Sequence, residues 1–480
     1  VGDYTHDADA VLDIEVDPSK PAGDPEEADL LYVTGKATIH GGKVQVTLLG
    51  PATYVSGQRD FTILKADGGV EGAFDEMGAG GELSPFLEFA LSHLGPDSVT
   101  GADEVIFTII KKASFSSVAE TPNQKEVAGA LDDMADGTPP DDMVTVLGEL
   151  QTLDEDAARD ALDRMSGEIY TWHGRLAQQA ADGVARSVRS GRIPLTRGED
   201  RLWFAQDANV VVLAGDKAYA GGQARTFAFT SGYALLQRDS GARLGVFGTL
   251  MSTDAAMPRR GSAMTGSGWA LGVYGRYAGS WGYVDGLAAY GSSGYHATRD
   301  VTVGSEARRA EGSFGATVAA AAADAAFRPF DTPLGRAEIT AGLTWMSSAR
   351  PQVKEGGAGS LSLIVDGARA DSLQGRVGVR LTPAPMKTLM GMDARPWLQL
   401  GWAQEFGSPS RTVTARLQGL PGHAMTIGGV ETPAGRVRLG AGVTFAWGHD
   451  DAKAIHVQYT GEFASGVKDH ALTVQGSIRF

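Results

Sequence analysis

Residues 436–480 read RVRLGAGVTFAWGHDDAKAIHVQYTGEFASGVKDHALTVQGSIRF, and hydrophobic residues alternate with polar or small ones along three segments of this stretch. Successive side chains of a β-strand point to opposite faces, so each segment is predicted to be a strand with one apolar and one polar face. A soluble β-sandwich also produces alternation. Strands of about ten residues that carry arginine on the polar face are typical of an outer-membrane β-barrel, which this pattern favours.

The amino-acid composition excludes several classes of function for this chain. The chain has 480 residues, a net charge of −16 and no cysteine. The acidic charge argues against a nucleic-acid partner, and the lack of cysteine excludes disulfides and thiolate metal sites. No run of 18 apolar residues predicts a transmembrane helix, and the start at Val1 has no signal-peptide character, so we expect a mature or truncated fragment.

Twelve strands are predicted after residue 200, an even number that brings both barrel ends to the periplasmic side. They begin near Leu202, Thr226, Ala242, Ser267, Trp281, Ser313, Arg336, Ser372, Arg395, Arg436, Ile455 and Leu472. Even-numbered connections are mostly short, such as AGS. Odd-numbered ones are mostly longer, such as HATRDVTVGSEARRAE after the fifth strand and GSPSRTVTARLQGLPGHAMTIGGVETPA after the ninth. Short periplasmic turns with long outer loops are expected of such a barrel.

The first part of the chain differs in character. Residues 1–113 alternate short apolar runs with glycine turns, as in a sandwich or in the rungs of a β-solenoid. Helical spacing begins near Thr121, and Asp154 is predicted to cap a third helix that continues towards Arg192. The segment Glu168–Arg192 would span roughly 38 Å as a helix, which is enough to thread a barrel. Its arginines suit a polar lumen, although a solvated surface helix is the alternative.

Several phrases carry a family resemblance. ADLLYVTGKATIHGGKVQV and YVSGQRDFTILKADGGVEGAFDEM, then ALDRMSGEIYTWHGRL, and finally GRVRLGAGVTFAWG and ALTVQGSIRF resemble the C-terminal part of a monomeric autotransporter. The resemblance implies a mainly β fold: a 12-stranded antiparallel transmembrane β-barrel with a lumen α-helix, preceded by the last rungs and cap of a right-handed β-helix. It divides the chain into 1–115 (end of the passenger), 116–199 (helical linker, with 168–192 in the lumen) and 200–480 (barrel).

The same resemblance implies an outer-membrane translocator that anchors and exports its own N-terminal passenger. The expected location is the Gram-negative outer membrane, with residues 1 to about 165 on the cell surface. Implied partners are outer-membrane lipid, the barrel-assembly machinery, periplasmic chaperones and the passenger itself, without nucleic acid, and the protein is expected to be a monomer. A porin-like channel is an alternative, as is a membrane-anchored surface hydrolase or adhesin whose active part lies upstream.

Three sets of residues follow from these expectations. The barrel-assembly signal comprises Leu472, Val474, Ile478 and Phe480. The lumen helix and lumen charges comprise Arg175, Arg186, Arg189, Arg192, Glu338, Arg376, Arg380, Glu405, Arg436, Arg438 and Glu462, with barrel arginines and glutamates expected to hold the helix by charge pairing. The passenger cap core comprises Ile63, Leu64 and Phe74, whose folding outside the cell would supply a driving force where no nucleotide exists.

No catalytic constellation is apparent, so we expect neither an enzyme nor a cofactor. The nine histidines are scattered, and no metal site is expected even near Asp3, His6 and Asp7. Some autotransporters cut their own linker at an asparagine inside the lumen helix. Asn123 lies far upstream of the predicted helix, so cleavage there is not expected.

Overall fold

The computed structural model describes residues 2–50, 52–79, 84–95, 102–190, 202–238, 241–388, 392–407, 411–447 and 453–478. Of residues 79, 328–331 and 478 it describes the main chain alone. Arg192 and Phe480, two of the predicted site residues, lie outside the described residues.

In the described residues up to Lys111, ten short strands form the first part of the chain. They are β1 (Tyr4–His6), β2 (Val11–Val16), β3 (Leu31–Val33), β4 (Ala37–His40), β5 (Lys43–Leu48), β6 (Gln58–Ala66), β7 (Val70–Ala73), β8 (Glu76–Ala79), β9 (Leu87–Leu94) and β10 (Asp103–Lys111). Parallel pairing repeats every three strands: β1–β4–β7, β2–β5–β8 and β3–β6. This repeat resembles the stacking of a solenoid, and the right-handed β-helix stays a prediction.

Strands β6, β10 and β9 close this unit with an antiparallel sheet. The register of β6 shifts between Leu64 and Thr62, so that Phe61 and Ile63 as well as Leu64 turn their side chains into the core. A bulge has this effect because the extra residue reverses the inward and outward alternation. Phe74 is half-buried and packs against the same core, where its ring meets His6 edge-on at 5.0 Å. The three predicted cap-core residues therefore lie in one apolar cluster.

Four α-helices follow within residues 112–190, namely α1 (Pro122–Asp136), α2 (Asp141–Thr152), α3 (Glu155–Met165) and α4 (His173–Ser190). Thr121 and Gln124 form a reciprocal capping box on α1, and the Asp154 carboxylate caps α3 as predicted. The prediction that α3 continues towards Arg192 is wrong. Gly167 has a φ of +73°, in the left-handed region that ends a helix, and a 3-10 turn (Glu168–Trp172) separates α3 from α4.

Seventeen further strands lie in the described parts of residues 202–478. They are β11 (Leu202–Leu213), β12 (Gly222–Gln237), β13 (Ala242–Met257), β14 (Ser262–Gly279), β15 (Gly282–Val303), β16 (Glu306–Thr332), β17 (Gly335–Arg350), β18 (Val353–Lys354), β19 (Leu363–Val365), β20 (Ala368–Thr382), β21 (Met386–Lys387), β22 (Asp393–Glu405), β23 (Thr412–Leu417), β24 (Met425–Gly428), β25 (Gly435–Trp447), β26 (Lys453–Ala464) and β27 (Val467–Ile478).

Twelve of these strands close into an antiparallel barrel, in the order β11–β17, β20, β22 and β25–β27. The barrel closes where β11 pairs with β27 along its whole length, from Leu202 opposite Ile478 to Leu213 opposite Val467. Eleven of the predicted starting points fall on the twelve strands, and the twelfth, Trp281, lies one residue before β15. The predicted 12-stranded barrel is therefore confirmed.

Successive side chains of the barrel strands alternate between the outer face and the lumen. Many large apolar side chains lie on the outer face, where they are exposed. Leu271, Ile339 and Leu400, for example, are exposed outward, as are Leu472 and Val474 of the predicted assembly signal. Such a surface is stable against lipid and costly against water, because apolar area in water is unfavourable. The main chain of Ile478 pairs with both β11 and β26.

The two ends of the barrel differ. We call the end where β11 starts and β27 stops the terminal end, and the opposite end the loop end. Two long connections at the loop end are folded, which the sequence did not indicate. The predicted loop after the fifth strand continues β15 and β16 to a two-residue turn at Gly304–Ser305, and the loop after the ninth contains the hairpin β23–β24. Strands β18, β19, β23 and β24 form a separate sheet there, which we call the loop sheet.

In the described parts of the chain, no helix combines the length and the apolar character needed to cross a membrane.

Candidate functional site

Helix α4 lies inside the barrel and runs from the loop end towards the terminal end. At about 1.5 Å per residue its 18 residues span roughly 27 Å, close to the thickness of a bilayer core. The helix is buried over nearly its whole length. Its small side chains let the barrel wall approach closely, and Val184 and Val188 pack in one cluster with Trp203, Phe247 and Tyr274 of the wall.

Arg186 anchors the helix to the first strand. Its guanidinium donates two hydrogen bonds to the Asp207 carboxylate, from Nε and Nη2, each 2.9 Å long. Asp207 also accepts a hydrogen bond of 2.8 Å from the Thr473 hydroxyl of β27. Both partners of the pair are buried, and a two-point geometry of this kind fixes orientation as well as distance. The pair therefore ties α4 to the seam that closes the barrel.

Two further arginines of α4 reach the wall in opposite directions. Arg175 lies 3.2 Å from the Asp469 carboxylate of β27, near the loop end. Arg189 lies 2.6 Å from the Asp324 carboxylate of β16, near the terminal end. An uncharged side chain of the helix also binds the wall: the Gln178 amide donates a hydrogen bond of 3.1 Å to the Glu405 carboxylate. Aspartates on three strands thus hold the helix arginines.

Barrel arginines and glutamates were expected to hold the helix by charge pairing. Arg376 of the barrel lies 3.9 Å from Asp182 of α4, whereas the helix arginines pair with aspartates of the wall. Glu462 accepts hydrogen bonds from Arg438 at 2.9 Å and from Arg436 at 3.5 Å, both on the adjacent strand β25. Cross-strand neighbours therefore already occupy this carboxylate. Glu338 lies beyond the helix end, close to the terminal turns. Glu405 does contact the helix, but through Gln178 and not through an arginine.

A cavity of about 620 Å³ lies between the last turn of α4 and the terminal end, and we call it the terminal vestibule. Six wall arginines line it, three of them predicted lumen charges: Arg276, Arg336, Arg376, Arg380, Arg395 and Arg438. Arg376 donates to Thr344 at 2.7 Å, and Arg380 lies 4.1 Å from the centre of the Trp397 ring. The vestibule thus combines a wide polar space with guanidinium groups.

The loop end is covered by a structure that we call the helical cap, formed by α1, α2 and α3 packed on the loop sheet and on the extended β15 and β16. Buried leucines of the three helices share one core with residues of the loop sheet, such as Leu363 and Ile427. The Asn123 amide donates to and accepts from the main chain of Gly428, at 3.0 and 2.8 Å. This buried asparagine therefore serves as a docking contact on the rim.

Arg299, which sequence reasoning missed, fastens the cap to the barrel. It donates to the main-chain carbonyls of Arg164 and Met165 at the end of α3, 3.1 Å each, and to Leu361 at 3.2 Å. Its remaining donors bind the Glu355 carboxylate. Arg299 sits in a stretch read as loop, but it shares parity with the buried Val301 and Val303 of β15, which was the available signal.

Tyr170 and Glu168 extend the same network. The Tyr170 hydroxyl donates to Glu355 at 2.9 Å, and burial with the neighbouring carboxylate raises the pKa of this phenol. Glu168 accepts from Arg260 at 2.8 Å and from the Ala220 main chain at 2.9 Å. Burial outweighs these contacts and raises the pKa of Glu168 to about 7.

The described part of the chain holds no group of three or more histidine, aspartate or glutamate side chains suited to a metal ion.

A family model described as "Autotransporter beta-domain" matches residues 202–460, more than half of the chain. The chain belongs to the autotransporter family. Its barrel is an outer-membrane translocator domain of the Gram-negative type, which exports a passenger, and such a domain is a transport domain and not a catalytic one. No curated protein matches this chain.

Solved autotransporter structures are similar in outline. The translocator domain of autotransporter NalP from Neisseria meningitidis is 17% identical with a TM-score of 0.48, over 64% of this chain and 96% of that one. The beta domain of the Bordetella autotransporter Brka is 19% identical with a TM-score of 0.42, over 58% and 99%. The transport unit of AIDA-I from Escherichia coli is 10% identical with a TM-score of 0.40, over 62% and 98%. The family assignment rests on the sequence match.

Proposed function

We propose that this autotransporter has its loop end outside the cell and retains α4 as a plug after the residues before it have been exported. Residues 1 to about 165 then lie on the cell surface. The observation that carries the proposal is the direction of α4. Because both ends of the barrel chain lie at the terminal end, a segment placed before β11 reaches the loop end only through the lumen.

The proposed division of the chain follows from this topology. Residues 1–115 form the end of the passenger, 116–199 the linker with 168–192 in the lumen, and 200–480 the barrel. The packing of α1–α3 on the loop end supports placing the linker outside, since such a core forms only after the helices have emerged. The interlocking contacts at Asn123 and Arg299 make the exported state the stable one.

Folding at the loop end supplies the direction of transport. We infer that Ile63, Leu64 and Phe74 belong to a cap unit of the passenger that folds outside and prevents return. Burying an apolar side chain stabilises a fold by roughly 1.5–3 kcal/mol. The folding free energy of even a small buried cluster therefore exceeds the thermal energy available for moving the segment back through the lumen. No nucleotide is needed for a process biased in this way.

Assembly of the barrel is proposed to depend on its last strand. Leu472 and Val474, with Ile478 and Phe480, form the signal for the barrel-assembly machinery, and periplasmic chaperones hold the chain before insertion. We propose that the barrel works as a monomer in outer-membrane lipid. Deleting Ile478–Phe480 tests the signal: we expect degraded periplasmic protein, whereas a normal heat-modifiable barrel on a gel would contradict it.

Deletion of residues 1–190 tests the plug. Removing α4 should raise the single-channel conductance of the barrel in a planar bilayer severalfold. The heat-modifiable mobility of the shortened protein on a gel serves as the control for a closed barrel. Equal conductance with and without the segment would mean that α4 does not limit the pore.

A further inference from the structure

Helix α2 lies between two parts of the chain and contacts each with a different face. One part is the stack of strands β1–β10, which we call the N-terminal unit, and the other is the barrel. Asp142 and Glu149, two helical turns apart, both bind the barrel. Val144, Gly148 and Gln151 contact the N-terminal unit. Residues that are three, four or seven positions apart share one face of a helix, so these two sets lie on two separate faces.

The face of α2 towards the barrel is held by charged and polar groups. The Arg308 guanidinium of β16 donates to the Asp142 carboxylate at 2.9 Å. The same carboxylate accepts from the main chain of Ser360, also at 2.9 Å. Glu149 accepts from the main chain of Ser305 at 3.0 Å, in the turn between β15 and β16. These contacts fix both ends of α2 on the loop end of the barrel.

The face of α2 towards the N-terminal unit is uncharged and closely fitted. The side-chain amide of Gln151 accepts from the Val55 N–H at 2.9 Å and donates to the Val55 carbonyl at 3.0 Å. Both residues are buried, and a buried main-chain group that loses its partner is costly. At Gly148 the two main chains approach so closely that a Cβ atom would lie 2.6 Å from the Ala52 carbonyl carbon and from the Thr53 nitrogen. The contact therefore requires glycine at this position.

The helical cap holds the N-terminal unit at two neighbouring levels of its stack. Val55 belongs to the connection after β5, whereas Ser84 and Phe86 belong to the connection after β8, and β5 and β8 are adjacent in one parallel sheet. The Ser84 hydroxyl donates to the main-chain carbonyl of Gln151. Phe86 is buried in the core of the helical cap, where its ring meets Phe115 edge-on at 5.3 Å. Adjacent strands lie about 4.8 Å apart, so contacts at both levels fix the direction of the stack as well as its position.

We propose that α2 is the joint that sets the direction in which the N-terminal unit stands on the barrel. The proposal rests on the proposed function only in taking this unit to lie outside the cell. Strands β1 and β2 lie at the opposite edges of their sheets from β7 and β8, so a change of angle at α2 displaces β1 and β2 most. Because the barrel is bound by the other face of α2, a change in the face towards the unit alters the angle and leaves α2 attached.

The distance between two spin labels, measured by pulsed electron paramagnetic resonance on the purified full chain, tests the joint. The chain has no cysteine, so labels attach only where a cysteine is introduced. Asp13→Cys with Ser465→Cys labels two exposed positions, one in β2 and one in the loop-end turn between β26 and β27. We expect a narrow distribution of distances when α2 is unchanged.

Two variants alter the face towards the N-terminal unit. Gly148→Ala places a Cβ atom in the close approach while it favours the helix itself, and Gln151→Met removes both hydrogen bonds to Val55. Each should broaden the distribution of distances by about twofold or more. The matched control is Gly129→Ala in α1, where an added Cβ atom meets no atom of the described chain within 4 Å. Its distribution should stay narrow.

A second pair of labels within the N-terminal unit, Asp13→Cys with Ser92→Cys, separates loss of direction from loss of fold. Its distances should be the same in all variants. An unchanged width for the first pair in Gly148→Ala or Gln151→Met, equal broadening in the control, or broadening within the unit would overturn the proposal. A failure of the export proposal is a different result. It would appear on intact cells as no cleavage at a protease site inserted after Gly137, whereas the distances are measured on purified protein.

Discussion

Arg299 and Glu355 form a two-point ion pair in which neither side chain has any exposed surface, with Nε–Oε1 and Nη2–Oε2 distances of 2.8 and 2.7 Å. Arg299 belongs to a barrel strand, and Glu355 to the connection that carries the loop sheet. Burial alone would raise the pKa of Glu355, but the guanidinium holds it below its usual value. The pair thus joins the barrel, the loop sheet and the end of α3 in one buried contact.

Replacing Glu355 with Gln should loosen the helical cap without opening the barrel, because Arg299 would be left buried without a counter-charge. Removing one partner of a buried pair typically costs about 3–5 kcal/mol. Hydrogen exchange should rise in α3 and in residues 353–365, while heat-modifiable mobility stays normal. The matched control is Asp300→Asn, which breaks the exposed pair with Arg309. Equal exchange in both variants would contradict this role.

Glu168 makes the stability of the helical cap depend on pH. Its pKa, raised by burial to about 7, lies above the value of about 4.3 expected in an unfolded chain. A carboxyl group with a raised folded pKa stabilises the fold at low pH, and this contribution is lost as the pH rises through 7. The protection factors of the amides near residues 163–172, which are corrected for the base-catalysed rise of intrinsic exchange, should therefore fall from pH 5 to pH 8. Glu168→Gln should remove this dependence; an unchanged pH profile in that variant would contradict the assignment.

Arg186→Ala should make the plug leak, because Asp207 would lose its two-point partner on α4. In a planar bilayer we expect more frequent channel openings than in the unchanged protein. The double variant Arg186→Ala with Asp207→Ala should be less leaky than the single one, since no buried carboxylate then remains unpaired. Arg309→Ala on the exposed surface is the control. Closed channels in the single variant would show that this pair does not hold α4.

Ile63→Asp with Leu64→Asp should unfold the first part of the chain and leave the barrel intact. Both side chains are fully buried, and an unpaired charge in such a core is strongly destabilising. Residues 2–111 should become protease-sensitive on the cell surface or stall during export. The control is Leu30→Asp with Leu94→Asp, two exposed leucines of the same unit. If the first variant displayed a protease-resistant segment at the normal rate, Ile63 and Leu64 would not belong to a cap unit that drives export.

Sequence reasoning reached the barrel because strand alternation is a local signal. Alternation is weak in the alanine-rich run of residues 319–326, and this concealed Asp324, one of the three aspartates that hold α4. Alternation places a charge on the lumen face but does not say which strand lies opposite a helix turn. Arg175, Arg186 and Arg189 lie in the lumen, and their partners are wall aspartates that the sequence pattern did not single out.

The helical cap escaped prediction for a different reason. Its sheet pairs residue 363 with residue 417, and Asn123 meets Gly428, contacts between segments far apart in the chain. Such contacts leave no periodic pattern in either segment. In the sequence, a charged residue of an exposed loop cannot be told from one that is buried with a partner. Arg299 and Glu355 are an example, since both lie in stretches of loop character and form a buried pair.

The central claim is that residues before α4 lie outside the cell and were carried there through the lumen. An inserted protease site after Gly137, in the exposed connection between α1 and α2, tests it on intact cells. The matched control places the same site beside Leu334, which is 74% exposed in the terminal turn between β16 and β17. We predict cleavage of the first site on intact cells and of the second only after the outer membrane is permeabilised. The reverse pattern would contradict the account.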